Sequence, residues 1–361
     1  MTTNYPANKI RVAVIFGGMS SEHEVSLISA ASIIKALDPY TYEIIKIGIT
    51  KRGHWAIGVE IDEMESLNEK HVEPKFGLDE LIELKPDVVF PVLHGTYGED
   101  GTIQGMFEIA NLPYVGCGVL SSALGMDKSV AKKLFKEAGL NTAPYVEVKR
   151  SEWRNFADNI IQEVEKKLRY PCFVKPANSG SSVGINKAKN RESLIAHINE
   201  AARYDRKILI EAYVNGREIE VSVLGNDKPK ASLPGEIVPC NEFYDYSAKY
   251  IDNKSGLNIP ADVSPDLTEK FRESAVKAYK ALDCAGMARV DFFLEKNTDK
   301  IIINEINTIP GFTGISMYPK LWEASGLKYK DLVDSLIELA LERFKDKQES
   351  LESIFNTKLK K

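Results

Sequence analysis

MARVDFFLEKNTDKIIINEINTIPG, residues Met287 to Gly311, reads as two apolar strands joined by a polar turn at Lys296 to Lys300. Val290, Phe292 and Leu294 alternate on the first, and Ile301 to Ile303 form a β-branched run on the second. Side chains two apart share one face of a strand, so Arg289 and Asp291 point one way on the first strand while Glu305 and Asn307 do so on the second. Such a hairpin gathers two carboxylates, an amide and a guanidinium. Burying two carboxylates among apolar residues is costly unless cations neutralise them, and hard oxygen ligands suit Mg²⁺ that phosphate oxygens also hold. Asp and Glu at strand ends are commonly just solvated, and the hairpin alone leaves both readings open.

Ahead of the hairpin, DLTEKFRESAVKAYKALDC is an amphipathic helix. Gly235 to Pro265 before it has no clean period and is rich in Tyr, Asp and Lys, and a loop of that length is uncommon without a job such as an active-site lid. Tyr244, Tyr246, Lys249 and Tyr250 are its candidate contacts. Further upstream, KILIEAYVNGREIEVSVLG gives two strands around Asn215-Gly216, with Glu211 closing the first and Glu218 opening the second. A hinge of this form suits an adenine and a ribose, although exposed glutamates would be equally ordinary there. YPCFVKP is a strand that delivers Lys175 into ANSGSSVGINK, where Gly180, Ser181, Ser182 and Gly184 free the backbone to wrap a phosphate. The Lys precedes the glycines, so this is not a Walker A loop. MDKSVAKKLFKEAGL is an amphipathic helix ending at Gly139, and Lys128 near its start opposes the helix dipole unless an anion is present.

The first third alternates strands and helices. IRVAVIFGG ends in Gly17 and Gly18, a helix begins within MSSEHEVSLISAASIIKAL with Ser21 and Glu24 spaced as a capping box, and Glu22 lies in the turn. Strands follow at Tyr42 to Ile49 and His54 to Ile57, then a helix over Leu78 to Leu84, a buried strand over Pro86 to Leu93 ending at His94-Gly95, and another helix. Continuous apolar strands alternating with helices predict a parallel, Rossmann-like sheet that binds ligands beyond its strand C-termini, where Glu22 and His94 both sit. Without GxGxxG the dinucleotide reading is weak. A small and flexible stretch, Gly116 to Gly125, marks a boundary. After the hairpin come TIPGFTGISMYPKLW and a final helix, DLVDSLIELALERFK, before a polar tail.

The 361 residues exceed one ordinary domain. A net charge of −5 argues against nucleic acid or an anionic membrane as partner. No apolar run reaches about 18 residues and no signal-peptide cleavage site precedes the first strand, so the cytoplasm is the expected compartment. Cys117, Cys172, Cys240 and Cys284 show no CxxC spacing and read as reduced, packed thiols.

Taken in order, FGGMSSEHEVS, LHGTYGEDGTIQG, MDKSVAK, FVKPANSGSSVGI, IEAYVNGREIEVSVLG, DYSAKY, ARVDFF and NEINTIPGFTGISMYPKLW resemble the ATP-grasp carboxylate–amine ligases of the D-alanine–D-alanine ligase family, over nearly the whole chain. The resemblance implies an α/β chain of three parts: a Rossmann-like substrate domain over 1–120, a central ATP-grasp subdomain over 121–214, and a catalytic ATP-grasp domain over 215–361 with a lid at 235–265. ATP would lie between two antiparallel sheets. Lys128, Lys175 and Ser182 would meet its phosphates, Glu211 with the Tyr213-Val214 backbone the adenine, Glu218 the ribose, and Lys249 the γ-phosphate on lid closure. Asp291, Glu305 and Asn307 would hold two Mg²⁺, with Mn²⁺ as a substitute. Glu22 would bind the first D-alanine's ammonium and link through Ser181 to Tyr250, with His94 positioning that substrate. Arg289 and the Gly311 N–H would stabilise the oxyanion, and Ser316 with the Met317 backbone would take the second D-alanine's carboxylate.

The implied reaction is ATP-dependent joining of two D-alanines through a D-alanyl phosphate, supplying a peptidoglycan precursor, by a homodimer. A carboxylate is a poor electrophile, so phosphoryl transfer must activate it, and metal ions with lysines would neutralise the charge in that step. Water would destroy the acylphosphate, which calls for a closing lid. Relatives that make D-alanyl-D-lactate tend to depart at the position of Tyr250, so the dipeptide is expected here. The rivals are an ATP-grasp ligase with another amino or hydroxy acid as second substrate, a nicotinamide-binding protein, and a non-catalytic ATP-binding regulator.

Overall fold

The structure is a computed structural model that describes residues 9–69, 77–180, 183–238 and 256–358, with backbone alone for 351–358. Ser181, Ser182, Lys249, Tyr250 and the middle of the expected lid lie outside the described residues, as does Cys240.

The first layer is built from β1 (Ile10–Gly17), α1 (His23–Ala36), β2 (Tyr42–Ile49), β3 (Trp55–Ile57), α2 (Met64–Glu69), α3 (Leu78–Glu83), β4 (Val88–Val92) and α4 (Thr102–Ile109). Its strand order is β3-β2-β1-β4, with β2 and β4 parallel to β1 and the edge strand β3 antiparallel. The apolar run of β1 is buried on both faces: Val12, Val14 and Phe16 feed one core, Ala13 and Ile15 the other. Gly17 ends β1 at φ +92°, and a Cβ there would lie 2.2 Å from the Ile49 carbonyl oxygen, so no side chain fits the turn.

Two local expectations fail in this region. The residue capping α1 is Glu22, without a side-chain cap bond, rather than Ser21 in a box with Glu24, because Glu24 is drawn outward to Lys51. The stretch read as a flexible boundary contains α5 (Val119–Met126). Its small residues serve close packing, since a Cβ on Gly125 would come within 3.1 Å of Thr308. Then α6 (Lys128–Glu137) starts at Asp127, whose carboxylate accepts from the Ser129 and Val130 N–H groups at 3.1 Å each.

The second layer is an antiparallel sheet in the order β5-β8-β6-β7, made of β5 (Tyr145–Lys149), β6 (Cys172–Pro176), β7 (Asn186–Ala188) and β8 (Lys207–Ala212). Helices α7 (Arg150–Lys167) and α8 (Arg191–Tyr204) bury Trp153, Ile160 and Ile198 against it. The third layer runs β12-β11-β9-β13-β14, from β9 (Gly216–Leu224), β11 (Gly235–Val238), β12 (Gly256–Asn258), β13 (Met287–Glu295) and β14 (Ile301–Asn307), with β10 (Lys230–Ala231) also on β9. Consecutive strands β8 and β9 therefore belong to different sheets, which makes Tyr213 to Asn215 a crossover between layers. The two ends of the expected loop at 235–265 are strands, because Glu236, Ile237 and Val238 pair with Asn258, Leu257 and Gly256.

Helix α9 (Pro265–Ala281) packs Phe271 and Tyr279 beneath the third sheet, and α10 (Met317–Ala324) follows the hairpin. The last helix, α11 (Tyr329–Lys358), returns to the first layer: its Leu332, Val333, Leu336 and Ile337 share one core with Val12, Val14, Phe90 and Ile33. Among the described residues no helix is long and apolar enough to cross a membrane.

Candidate active site

The hairpin is as expected, and one irregularity aims its polar half. The register sets Asp291 opposite Glu305 and Arg289 opposite Asn307, then shifts at a bulge between Asp291 and Phe292. Arg289 grips Asp291 through two bonds of 2.7 Å, Asn307 donates to Asp291 at 2.9 Å, and Arg289 also pairs with Glu220 at 2.9 Å. Asp291 is therefore held by a guanidinium rather than simply solvated at a strand end. Among the described residues no three His, Cys, Asp or Glu side chains cluster as a metal site. Asp291, Glu305 and Asn307 nonetheless offer only oxygen ligands at adjoining positions, a donor set that fits Mg²⁺ completed by phosphate oxygens.

Lysines face the hairpin from the second layer. Lys128 donates to the Ser179 carbonyl at 2.7 Å and pairs with Glu305 at 3.4 Å. Lys175 pairs with Glu211 at 2.6 Å, and Lys132 pairs with the other oxygen of Glu211. All three members of this triad are buried. Burial alone would push the Glu211 carboxyl up, but Lys132 and Lys175 outweigh it and hold it below the usual carboxylate range. Burial wins at Lys132, lowering its ammonium below the ordinary value, whereas Lys175 stays above its own because Glu211 overcomes burial. The exposed-glutamate alternative is thus excluded at Glu211. Lys132 was not anticipated; its signal is the spacing from Lys128, which puts both on one face of α6.

The opposite wall comes from the first layer. Glu22 is buried in the turn after β1, and His94 is buried after β4. Burial lowers the His94 imidazole below its usual value, so the ring is neutral. Both its nitrogens are used: Nδ1 lies 3.0 Å from the Ile309 carbonyl oxygen and Nε2 3.3 Å from Ser29 Oγ, which itself accepts from the Phe312 N–H. His94 therefore joins the first layer to residues 309–312 while lining the cavity. Glu99 also lines that cavity and was not singled out by sequence reasoning.

Beyond the hairpin the chain turns sharply. A Cβ on Gly311 would sit 2.8 Å from Ser316 Oγ. Ser316 precedes the first turn of α10, where Met317 begins the helix, and its hydroxyl accepts from the Thr313 N–H at 3.0 Å and lies 2.8 Å from Thr313 Oγ1. The Ser316 hydroxyl is thus held at the N-terminus of α10 by the Thr313 N–H and hydroxyl.

Two cavities gather these groups. A slot between the second and third sheets is lined by Lys175, Glu211, Tyr213, Val214 and Glu218 together with Asp291 and Glu305. A smaller, polar cavity is lined by Glu22, His94, Lys128, Arg289, Asn307 and Gly311, again with Glu305. Ser316 and Met317 line neither and stand just past Gly311.

Two antiparallel sheets facing each other across a slot that ends in lysines and carboxylates define the ATP-grasp class. The family description "D-ala D-ala ligase N-terminus" matches residues 11–117, and "D-ala D-ala ligase C-terminus" matches 134–338. A D-alanine–D-alanine ligase of Ruminiclostridium cellulolyticum is 52% identical, over 94% of this chain and 97% of that protein. Two solved structures share the fold at a TM-score of 0.82. The D-Ala:D-Ser ligase VanG of Enterococcus faecalis is 38% identical over 92% of this chain and 100% of its own. The D-alanine–D-alanine ligase of Coxiella burnetii is 36% identical over 98% of this chain and 100% of its own. The chain belongs to the D-alanine–D-alanine ligase family.

Proposed function

We propose that this chain joins two D-alanines at the expense of ATP, forming D-alanyl-D-alanine, ADP and phosphate. The observation that carries this reading is that Glu305 lines both cavities, so the terminal phosphate of a nucleotide in the slot would meet the carboxylate of an amino acid in the polar cavity. The carboxylate of the first D-alanine attacks the γ-phosphorus, and ADP leaves. The amine of the second then attacks the acyl carbon, phosphate leaves, and the amine gives up a proton. Lys128 and Lys175 would bind the phosphates, Arg289 and the Gly311 N–H the oxyanion, and Ser316 with Met317 the second carboxylate. Two Mg²⁺, or Mn²⁺ in their place, would be held by Asp291, Glu305 and Asn307 and would neutralise charge on the transferring phosphoryl group. D-alanine is favoured over D-serine as second substrate by the 52% identity to a D-alanine–D-alanine ligase, against 38% to the D-Ala:D-Ser enzyme. We expect the active species to be a homodimer.

Incubation with ATP, Mg²⁺ and D-alanine tests the proposal by release of phosphate in step with dipeptide. ATP binding without turnover, or turnover only with another amino acid, rejects it. Glu305→Ala should abolish dipeptide formation while circular dichroism stays that of the parent.

A further inference from the structure

Among the described residues, Glu99 is the one carboxylate in the polar cavity to which the ligase reading gives no task. It follows His94 in the loop after β4, and its two oxygens are taken up by different parts of the molecule. Oε2 accepts from the Gly95 N–H at 2.8 Å within its own loop, and Oε1 accepts from the Ile309 N–H at 3.0 Å, across 210 positions of sequence. Ile309 opens the segment that leads through Pro310 to Gly311, so one side chain fixes the substrate wall to the oxyanion segment. A second carboxylate stands beside it: a Cβ on Gly95 would lie 2.8 Å from Glu22 Oε2, so Gly95 is flanked by both acids.

We propose that Glu99 is a positioning residue for capture of the first amino acid: it pins the His94-Gly95 loop to the Ile309–Gly311 segment and shares with Glu22 the charge that the substrate ammonium neutralises. The inference rests on the ligase reading of this cavity. Burial, and then the charge of Glu22, push the Glu99 carboxyl up to about 8, against the two backbone N–H groups and Arg289, which pull it down. Among the described residues, the other charged or titratable groups around the cavity are His94, neutral in this site, and the pair Lys128 and Glu305. An ammonium beside Glu99 favours its ionised form, so capture of D-alanine below about pH 8 expels a proton from Glu99.

The test uses wild type and two variants, Glu99→Gln and Glu99→Ala, with steady-state KM for each substrate. Glu99→Gln keeps the shape but sets an amide N–H₂ against a backbone N–H. KM for the first D-alanine should rise about tenfold or more, as expected when a buried donor loses its acceptor, while KM for ATP stays within about twofold. Between pH 6.5 and 8.5 the wild-type KM for the first D-alanine should fall as pH rises, and this limb should be missing in Glu99→Gln. Should the variants fail to fold, calorimetry on wild type, holding a non-hydrolysable ATP analogue and Mg²⁺, in buffers of different ionisation enthalpy counts the proton directly. Wild type that makes dipeptide but releases no proton at pH 7 overturns the inference and leaves the ligase reading standing. A Glu99→Gln enzyme with unaltered KM values and pH profile overturns it as well, and wild type that makes no dipeptide overturns both.

Discussion

Glu211 accepts from Lys175 through one oxygen and from Lys132 through the other. If Lys175 turns to a nucleotide phosphate, as we propose, Lys132 remains to keep the buried carboxylate paired. Lys132→Met would strip that safeguard and leave only Lys175 on Glu211, a loss of about 1.5–3 kcal/mol as for a hydrogen bond to a charged group, read by urea unfolding at pH 7. The acid limb gives the sign. Glu211 is held low in the folded protein, so its contribution is present above the ordinary carboxyl value of 4.5 and is lost as pH falls through the lower folded value. The stability gap between wild type and Lys132→Met should therefore narrow below about pH 4.5; a gap that widens there would refute this account. At Thr313, whose hydroxyl and N–H both face Ser316, Thr313→Val should raise KM for the second D-alanine about tenfold and Thr313→Ser should restore it, with KM for ATP unmoved in both. Asp291 and Glu305 were legible in the sequence because period-two placement is fixed by the strand itself. Glu99 and Lys132 were not, because their partners come from remote chain: Glu99 meets Ile309, and Lys132 meets a carboxylate on β8.

The elements that sequence read well are those whose pattern is local. The hairpin of β13 and β14, the helix α6 and the strand β1 each carry their own apolar period and their own punctuation. Where the period was masked, reading failed. Glycines and serines made α5 look like a connector, yet Ser121 and Ser122 are buried, and Gly125 is small because α5 presses there on β14 and the residues after it. The turn after β1 shows the same constraint at its tightest. Gly17→Ala would place a methyl against the Ile49 carbonyl and force a left-handed backbone on a residue that avoids it, a loss of about 1–3 kcal/mol or more by thermal denaturation. An alanine variant as stable as the parent would show that β1 and β2 separate freely there.

Across the whole molecule, the slot between the second and third sheets should respond to nucleotide as one unit. At about 100 times Kd, a non-hydrolysable ATP analogue with Mg²⁺ should stabilise the protein by about 2.7 kcal/mol, seen as a rise in Tm, and Glu305→Ala should show much less of it. The polar cavity needs all three layers, since Glu22 and His94 come from the first, Lys128 from the helix leading into the second, and Arg289 and Gly311 from the third or just after it. Sequence exposed the alternation of strands and helices that makes the first layer. It did not expose that α11 closes that layer, because amphipathic periodicity says which side of a helix is apolar and not which sheet receives it.

That return of α11 governs how the chain is born. Tyr42 is bonded to Asp334 at 2.9 Å and Lys330 to Asp38 at 3.0 Å, so the first layer is clasped by residues 292 positions further along the chain. On the ribosome that sheet must wait with one oily side only partly covered, by α1, until α11 has emerged. A transcript cut short before Tyr329 would thus release a sticky, unfinished product, and chaperone dependence should be greatest for nascent chains arrested there.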